Sequence, residues 1–140
     1  MILRPALLAA FTFAAAAPAS AETQIWECKV ERRIEHSKAS EYTAADRARP
    51  EMRLDFIVDI ADNKGCLLRA GAKDRCDVLY TGAADEGGRI RLDMKTPDNM
   101  LDLVNIFPKT GSFIRIHGDM QWMGKAGDCN VVKGRSVQLP

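Results

Sequence analysis

The feature of this sequence that most constrains its fold is an alternation of apolar and charged residues with a period of two. The clearest run extends from Met52 to Ile60, where every second residue is apolar and most residues between them are charged. Similar runs extend from Trp26 to Glu35 and from Arg89 to Lys95. Because successive side chains of a strand point to opposite faces, these runs predict strands with one buried face and one charged, solvated face. A shift of one residue in the pairing of two strands would place the charged side chains in the core, so the pairing register of each strand is well specified.

Short segments with turn chemistry separate these runs. They are Asp62 to Gly65, Ala70 to Arg75, Gly82 to Gly88, Pro108 to Gly111 and Gly124 to Asp128. The segment from Ser37 to Arg49 lacks the alternation, and within it Ala44 to Ala48 favours a short helix that is ended by Pro50. Many short strands joined by regular turns predict an all-β fold. We expect a small antiparallel meander that closes into a barrel or sandwich, with at most one or two short helical turns.

Residues 97–107 allow two interpretations. Thr96 and Pro97 resemble a helix start, and Met100, Leu103, Val104 and Phe107 then fall at helical spacing. The alternative is a strand from Leu101 to Phe107, paired through the Pro108 turn with a strand from Ser112 to His117. We favour the strand, because valine, isoleucine and phenylalanine suit a sheet and the turn chemistry is good.

The first 21 residues are typical of a secretory signal peptide. Arg4 supplies a positive n-region, Leu7 to Ala17 form an apolar h-region, and Ala19-Ser20-Ala21 is a small-x-small cleavage site. The apolar segment is too short to be a stable membrane anchor. We therefore predict a signal peptide over 1–21 and a single β-rich, disulfide-stabilised domain over 22–140, in the periplasm or secreted.

Four cysteines lie in the predicted mature chain, and an even number in an oxidising compartment predicts two disulfides. Of the three possible pairings, we favour Cys66–Cys76 as a local clip across a hairpin. Cys28–Cys129 would then join the first strand to the last. A zinc site is disfavoured, because there is no Cys-x-x-Cys pair and no histidine at ligand spacing.

The charge balance excludes several classes of partner. The chain has 20 lysines and arginines and 19 aspartates and glutamates, and loss of Arg4 with the signal peptide leaves a neutral mature chain. A neutral chain has no global field to attract nucleic acid or an anionic membrane. After the signal peptide no apolar run approaches 18 residues, so no membrane span is expected in the mature chain. No motif calls for a cofactor.

The segment from His117 to Met123 contains the strongest candidates for chemistry. His117, Met120 and Met123 are soft ligands suited to Cu(I), and Trp122 could cover such a site. The alternative is that the methionines fill gaps in the core. On a continuous strand, His117 and Met120 would face opposite ways, which weakens the copper interpretation. His117 and Asp119 would share a face and could act as a general acid–base pair, but no nucleophile motif accompanies them.

A second hypothesis concerns anion binding. Arg32 lies two residues after Val30, so the two side chains would point to the same face of a continuous strand. Arg115 lies two residues after Phe113 and two before His117, so these three would also share a face. If the sheet closes into a barrel, Arg32, Arg115 and His117 could line its mouth and bind an anion, with Trp122 close by. The alternative is that these charged residues lie on the solvent face and keep a strand edge from pairing.

The plan of the chain comprises a signal peptide, a Trp26-x-Cys28 pair opening the first strand, a meander, and Gly127-Asp128-Cys129 near the end. In this plan it resembles small periplasmic barrels of the lysozyme-inhibitor or lipocalin-like kind. We expect a binding or inhibitor module without catalytic activity, which presents loops to a protein partner or a small ligand. The alternative is a periplasmic copper-binding protein or a small hydrolase that uses His117 and its neighbours.

Overall fold

The computed structural model describes residues 23–68, 75–95, 98, 100–132 and 139–140, and these ranges consist mainly of β-strands. In chain order the strands are β1 (Gln24–Lys29), β2 (Arg32–Glu35), β3 (Lys38–Glu41), β4 (Arg53–Asp59), β5 (Lys64–Leu68), β6 (Cys76–Tyr80), β7 (Gly82–Asp85), β8 (Ile90–Lys95), β9 (Leu101–Phe107), β10 (Ser112–His117), β11 (Met120–Gly124) and β12 (Cys129–Val132). Helical structure in these ranges comprises α1 (Ala44–Arg47) and a 3-10 turn (Pro50–Met52). The predicted all-β class and its short helical turns are confirmed.

The strands form two antiparallel sheets. Sheet A has the order β12-β1-β4-β5-β6, and sheet B has the order β3-β2-β11-β10-β9-β8-β7. In the described part of the chain neither sheet closes on itself, so the sandwich forms and the barrel does not. The inner faces enclose one apolar cluster, in which the rings of Phe56 and Phe113 lie 6.0 Å apart between centroids.

The chain passes from sheet A to sheet B between β1 and β2. Val30 donates its backbone N–H to the carbonyl of Met52 at 2.7 Å, and Glu31 donates to the carbonyl of Met123 at 2.8 Å. The run from Trp26 to Glu35 is therefore two strands and not one. The inward-facing alternation of β1 ends at Val30, so Arg32 lies in β2 of sheet B and not on the buried face of β1.

A second crossing from sheet A to sheet B joins β6 to β7. The sequence places Gly82–Asp85 within a turn, whereas the structure forms β7 there, paired with β8 in register Ala83↔Leu92. Small side chains allow this edge strand to lie close to β8. The turn predicted over 70–75 and the helix start predicted at Thr96 fall largely outside the described residues.

The hairpin of β9 and β10 confirms the strand interpretation of residues 101–107. The two strands pair from Phe107↔Ser112 to Asp102↔His117. Gly111 closes the turn with a φ of 67°, and a Cβ there would lie 2.7 Å from the carbonyl oxygen of Cys129. Only glycine satisfies both this backbone conformation and this close approach.

Two disulfides join neighbouring strands. Cys28–Cys129 links β1 to β12, and Cys66–Cys76 links β5 to β6. These are the pairs favoured by the sequence, and no free cysteine occurs among the described residues. Paired cysteines indicate an oxidising compartment. The predicted signal peptide lies outside the described residues. In the ranges described, no helix has the length and apolar character needed to span a membrane.

Candidate functional site

A buried charge cluster occupies the inner face of sheet B. Arg115 on β10 donates from Nε to Oδ1 of Asp102 at 3.2 Å and from Nη2 to Oδ2 at 2.8 Å. Tyr80 on β6 donates its hydroxyl to Oδ1 of the same carboxylate at 3.1 Å. Asp102 is 0% exposed and Arg115 is 8% exposed. Because β6 belongs to sheet A and β9 to sheet B, the charge-assisted bond from Tyr80 to Asp102 joins the two layers of the sandwich.

Trp122 on β11 covers the Arg115 guanidinium. The two residues are direct cross-strand partners, and Cζ of Arg115 lies 4.6 Å from the centroid of the indole ring. This geometry is a cation–π contact. Burial acts to lower the pKa of Arg115, but its hydrogen bond to Asp102 and the influence of Tyr80 outweigh burial and raise the pKa. Arg115 is therefore a permanent cation inside the protein.

His117 connects this cluster to the surface. Its Nδ1 lies 3.3 Å from Oδ2 of Asp102, and its side chain is 37% exposed. This contact is not a hydrogen bond, and Nδ1 has no hydrogen-bond partner among the described residues. Met120 is the direct cross-strand partner of His117, and Glu35 lies beyond Met120 in the same row. Cross-strand partners share a face of the sheet, so these three residues lie side by side.

Sheet B extends beyond sheet A because it has seven strands against five. The hairpin of β2 and β3 lies in this extension and contains no buried residue: β2 is half-buried throughout and β3 is exposed throughout. Its turn, His36-Ser37, lies beside the turn Gly118-Asp119 that joins β10 to β11. Nε2 of His36 is 3.8 Å from Oδ2 of Asp119. We call these two neighbouring turns, residues 36–37 and 118–119, the hairpin tip.

The backbone of the hairpin tip is strained. His36 has a φ of 47° and Ser37 a φ of 64°, which is the left-handed region. Two-residue hairpin turns with positive φ at both central positions favour Asn-Gly, since other residues adopt this conformation at a cost of about 1 kcal/mol each. The neighbouring turn meets its own requirement with glycine, because Gly118 has a φ of 55°. Of the two turns in the hairpin tip, it is therefore the exposed β2–β3 turn that places residues other than glycine in the left-handed region.

The structure brings together three of the four residues predicted to bind a ligand. Arg115, His117 and Trp122 share the inner face of sheet B, whereas Arg32 lies on the outer face in the row of Met123. Arg32 donates from Nη2 to Sδ of Met123 at 3.4 Å. The predicted anion-binding rim of Arg32, Arg115 and His117 does not form, since Arg115 is buried and already paired with a carboxylate. The crossing of the chain at Val30 places Arg32 on the other face.

The predicted copper ligands are also divided between the faces. His117 and Met120 flank the Gly118-Asp119 turn and are cross-strand partners, so they share a face. The opposite orientation applied to a continuous strand, whereas the chain turns between these two residues. Met123 lies on the outer face, three residues along β11 from Met120. The three predicted ligands thus do not meet. Among the described residues, no group of three or more histidine, cysteine, aspartate or glutamate side chains is arranged to hold a metal ion.

The predicted acid–base pair is replaced by a different one. Asp119 lies in the turn and contacts His36, whereas the carboxylate nearest to His117 Nδ1 is that of Asp102. Neither Asp102 nor Tyr80 was predicted from the sequence. The alternation in β9 could have indicated that Asp102 is buried. Val104 and Ile106 point inward, and every second residue of a strand faces the same way, so Asp102 points inward with them.

Tyr80 makes stability sensitive to alkaline pH. Burial raises the pKa of Tyr80 well above its ordinary value near 10.0; Asp102 adds to this shift and Arg115 partly opposes it. A raised folded-state pKa favours the protonated phenol, so its contribution is complete below pH 10 and is lost as pH rises above 10. From pH 10 to 11 we expect the free energy of unfolding to fall by about 1 kcal/mol more in the wild type than in Tyr80→Phe.

Urea unfolding at several pH values between 9 and 11 measures this difference. Tyr42→Phe, which removes the other tyrosine hydroxyl of the chain, is the matched control and should follow the wild type. Equal alkaline losses in the wild type and Tyr80→Phe would contradict the assignment.

Comparisons with known proteins found no relative of this chain. No protein-family model, curated protein or solved structure matches the chain. The features that bear on function are therefore those of the structure, a disulfide-linked sandwich with a buried charge cluster behind an exposed, strained hairpin tip.

Proposed function

We propose that this protein is a non-catalytic binding module of the periplasm or the extracellular space, and that it recognises a partner protein with the hairpin tip. The observation that carries this proposal is the pair of left-handed residues His36 and Ser37 in an exposed turn. An Asn-Gly pair would close such a turn without this cost, so stability is given up where a binding function would justify it. Binding residues concentrate on loops held by a rigid scaffold.

The surroundings of the tip support this role. Arg33 and Glu35 on β2 form an ion pair at 3.3 Å, with side chains 38% and 43% exposed. Trp122 and His117, both half-buried, adjoin them on the same face of sheet B. A surface that combines an aromatic ring, a histidine and charges of both signs has the composition of a protein-recognition patch. The buried Asp102 and Arg115 pair fixes β9 and β10 behind it.

A general acid–base function at His117 is the second candidate. The 3.3 Å approach of its Nδ1 to Asp102 favours it, because a carboxylate behind a histidine orients the ring and leaves Nε2 for chemistry. Against it, Asp102 is already bound by Arg115 and Tyr80. Within the described residues His117 also makes no hydrogen bond to a hydroxyl or thiol. Retention of partner binding by His117→Ala would separate the two functions.

In-cell photo-cross-linking tests the proposal, because it traps whichever protein contacts the labelled position. A photoreactive phenylalanine analogue replaces Ser37 in the full chain, expressed in the producing cell. The matched control carries it at Asp62, which lies in the exposed turn between β4 and β5. We expect a discrete protein adduct from position 37 and none from position 62. Equal adducts from both positions, or none from position 37, would overturn the proposal.

The strain itself is measurable. We expect His36→Asn combined with Ser37→Gly to raise the free energy of unfolding by about 1 kcal/mol, because relief of the left-handed conformation exceeds the added entropy of glycine in the unfolded chain. Ser40→Gly is the control on β3, where extended backbone gives no such relief, and it should destabilise by about 0.5–1 kcal/mol. Chemical denaturation measures both. A destabilised Asn-Gly variant would show that the turn is not strained.

A further inference from the structure

A shallow cleft lies on the outer face of sheet B, at the base of the β2–β3 hairpin and away from the hairpin tip. Its volume is about 230 Å³, and its lining residues are Glu31, Arg32, Glu41, Met123, Gly124 and Lys125. This volume suits a molecule smaller than a typical drug-sized ligand. Lys125 forms an ion pair with the carboxylate of Glu31. The charges of these two lining residues therefore neutralise each other.

Arg32 is unusual among the described arginines. Most of them contact a carboxylate, as do Arg33, Arg47, Arg49, Arg53, Arg89, Arg91 and Arg115. The hydrogen bond of Arg32 goes instead to the thioether of Met123, which is a weak acceptor. A guanidinium has five N–H donors, so most of those on Arg32 remain available in the cleft.

Glu41 is the direct cross-strand partner of Arg32, yet the two side chains form no ion pair in the described structure. Opposite charges that face each other across two strands normally attract. Here the guanidinium donates to Met123 on β11, while Glu41 is a separate lining residue of the same cleft. A cation and an anion that are not paired with each other therefore line one open volume, together with a thioether and Gly124.

We propose that this cleft binds a free α-amino acid or a ligand with the same head group. The carboxylate of such a zwitterion would pair with Arg32 through two N–H donors, and its ammonium group would pair with Glu41. Met123 would contact a short apolar side chain. An isolated anion would pair only with Arg32 and an isolated cation only with Glu41, so the site favours molecules that carry both charges. This proposal is independent of the hairpin tip.

Amide chemical-shift titration of the ¹⁵N-labelled mature protein tests it, with L-alanine, acetate and methylammonium as probes. We expect L-alanine to shift amides at 31–32, 41 and 123–125, and to bind at least tenfold more tightly than either single-charge probe. Arg32→Gln and Glu41→Gln should each weaken L-alanine binding at least tenfold while the spectrum stays dispersed. Arg91→Gln is the control, because Arg91 lies on the same outer face and already pairs with Glu86.

Two results would overturn the proposal. One is the absence of L-alanine-dependent shifts at these amides. The other is binding of acetate as tight as that of L-alanine, which would make the cleft a simple anion site. A failure here leaves the cross-linking result at Ser37 unaffected, since the two sites lie at opposite ends of the hairpin.

Discussion

Replacement of Asp102 by asparagine should lower the free energy of unfolding by about 3–5 kcal/mol, which is a large part of the stability of a domain of this size. The reason is that Arg115 stays charged and buried while its carboxylate partner is lost. Asparagine keeps the shape of the side chain, so the loss reports the charge and not a cavity. Urea unfolding followed by tryptophan fluorescence measures the change.

Replacing the whole cluster by apolar residues separates the contribution of the Asp102–Arg115 ion pair from the cost of leaving Arg115 buried without a partner. In the triple variant Tyr80→Phe, Asp102→Leu and Arg115→Met no polar group of the cluster remains, and we expect most of the lost stability to return. Glu35→Gln breaks the exposed pair with Arg33 and should cost less than about 1 kcal/mol. A cost for Asp102→Asn as small as that for Glu35→Gln would show that the cluster is solvated.

The two disulfides should differ in their contribution to stability. Cys28–Cys129 spans 101 residues in sequence and Cys66–Cys76 spans 10. On the loop-entropy account, a cross-link over about 100 residues stabilises by about 4.7 kcal/mol, and one over about 10 residues by about 2 kcal/mol less. We therefore expect Cys28→Ala with Cys129→Ala to be more destabilising than Cys66→Ala with Cys76→Ala.

Thermal and urea unfolding of the two double variants under non-reducing conditions measures this order. The comparison is matched, because each variant replaces two cysteines by alanine, and Cys28 and Cys66 are both fully buried. A larger loss from the Cys66–Cys76 variant would contradict the loop-entropy account. Such a result would instead place the main constraint at the β5–β6 hairpin.

The candidate site was only partly predictable from the sequence. Arg115, His117 and Trp122 were identified because they stand close together on two strands joined by a short turn, where local geometry decides which side chains meet. Arg32 was misplaced because the chain changes sheets at Val30, and a change of sheet resets the parity. Asp102 was missed because its significance depends on Tyr80 from the other sheet, a contact across 22 residues of sequence.

The sequence by itself determined the strand pattern, because a period of two between apolar and charged residues leaves few other ways to bury a face. It also favoured the disulfide pairs and the strand at 101–107 through local turn and cysteine spacing. Only the tertiary structure decided that the sheets stack as a sandwich, that sheet B extends past sheet A, and which charges are buried. Those outcomes depend on the pairing of strands that lie far apart in the sequence, and local preferences do not encode such pairings.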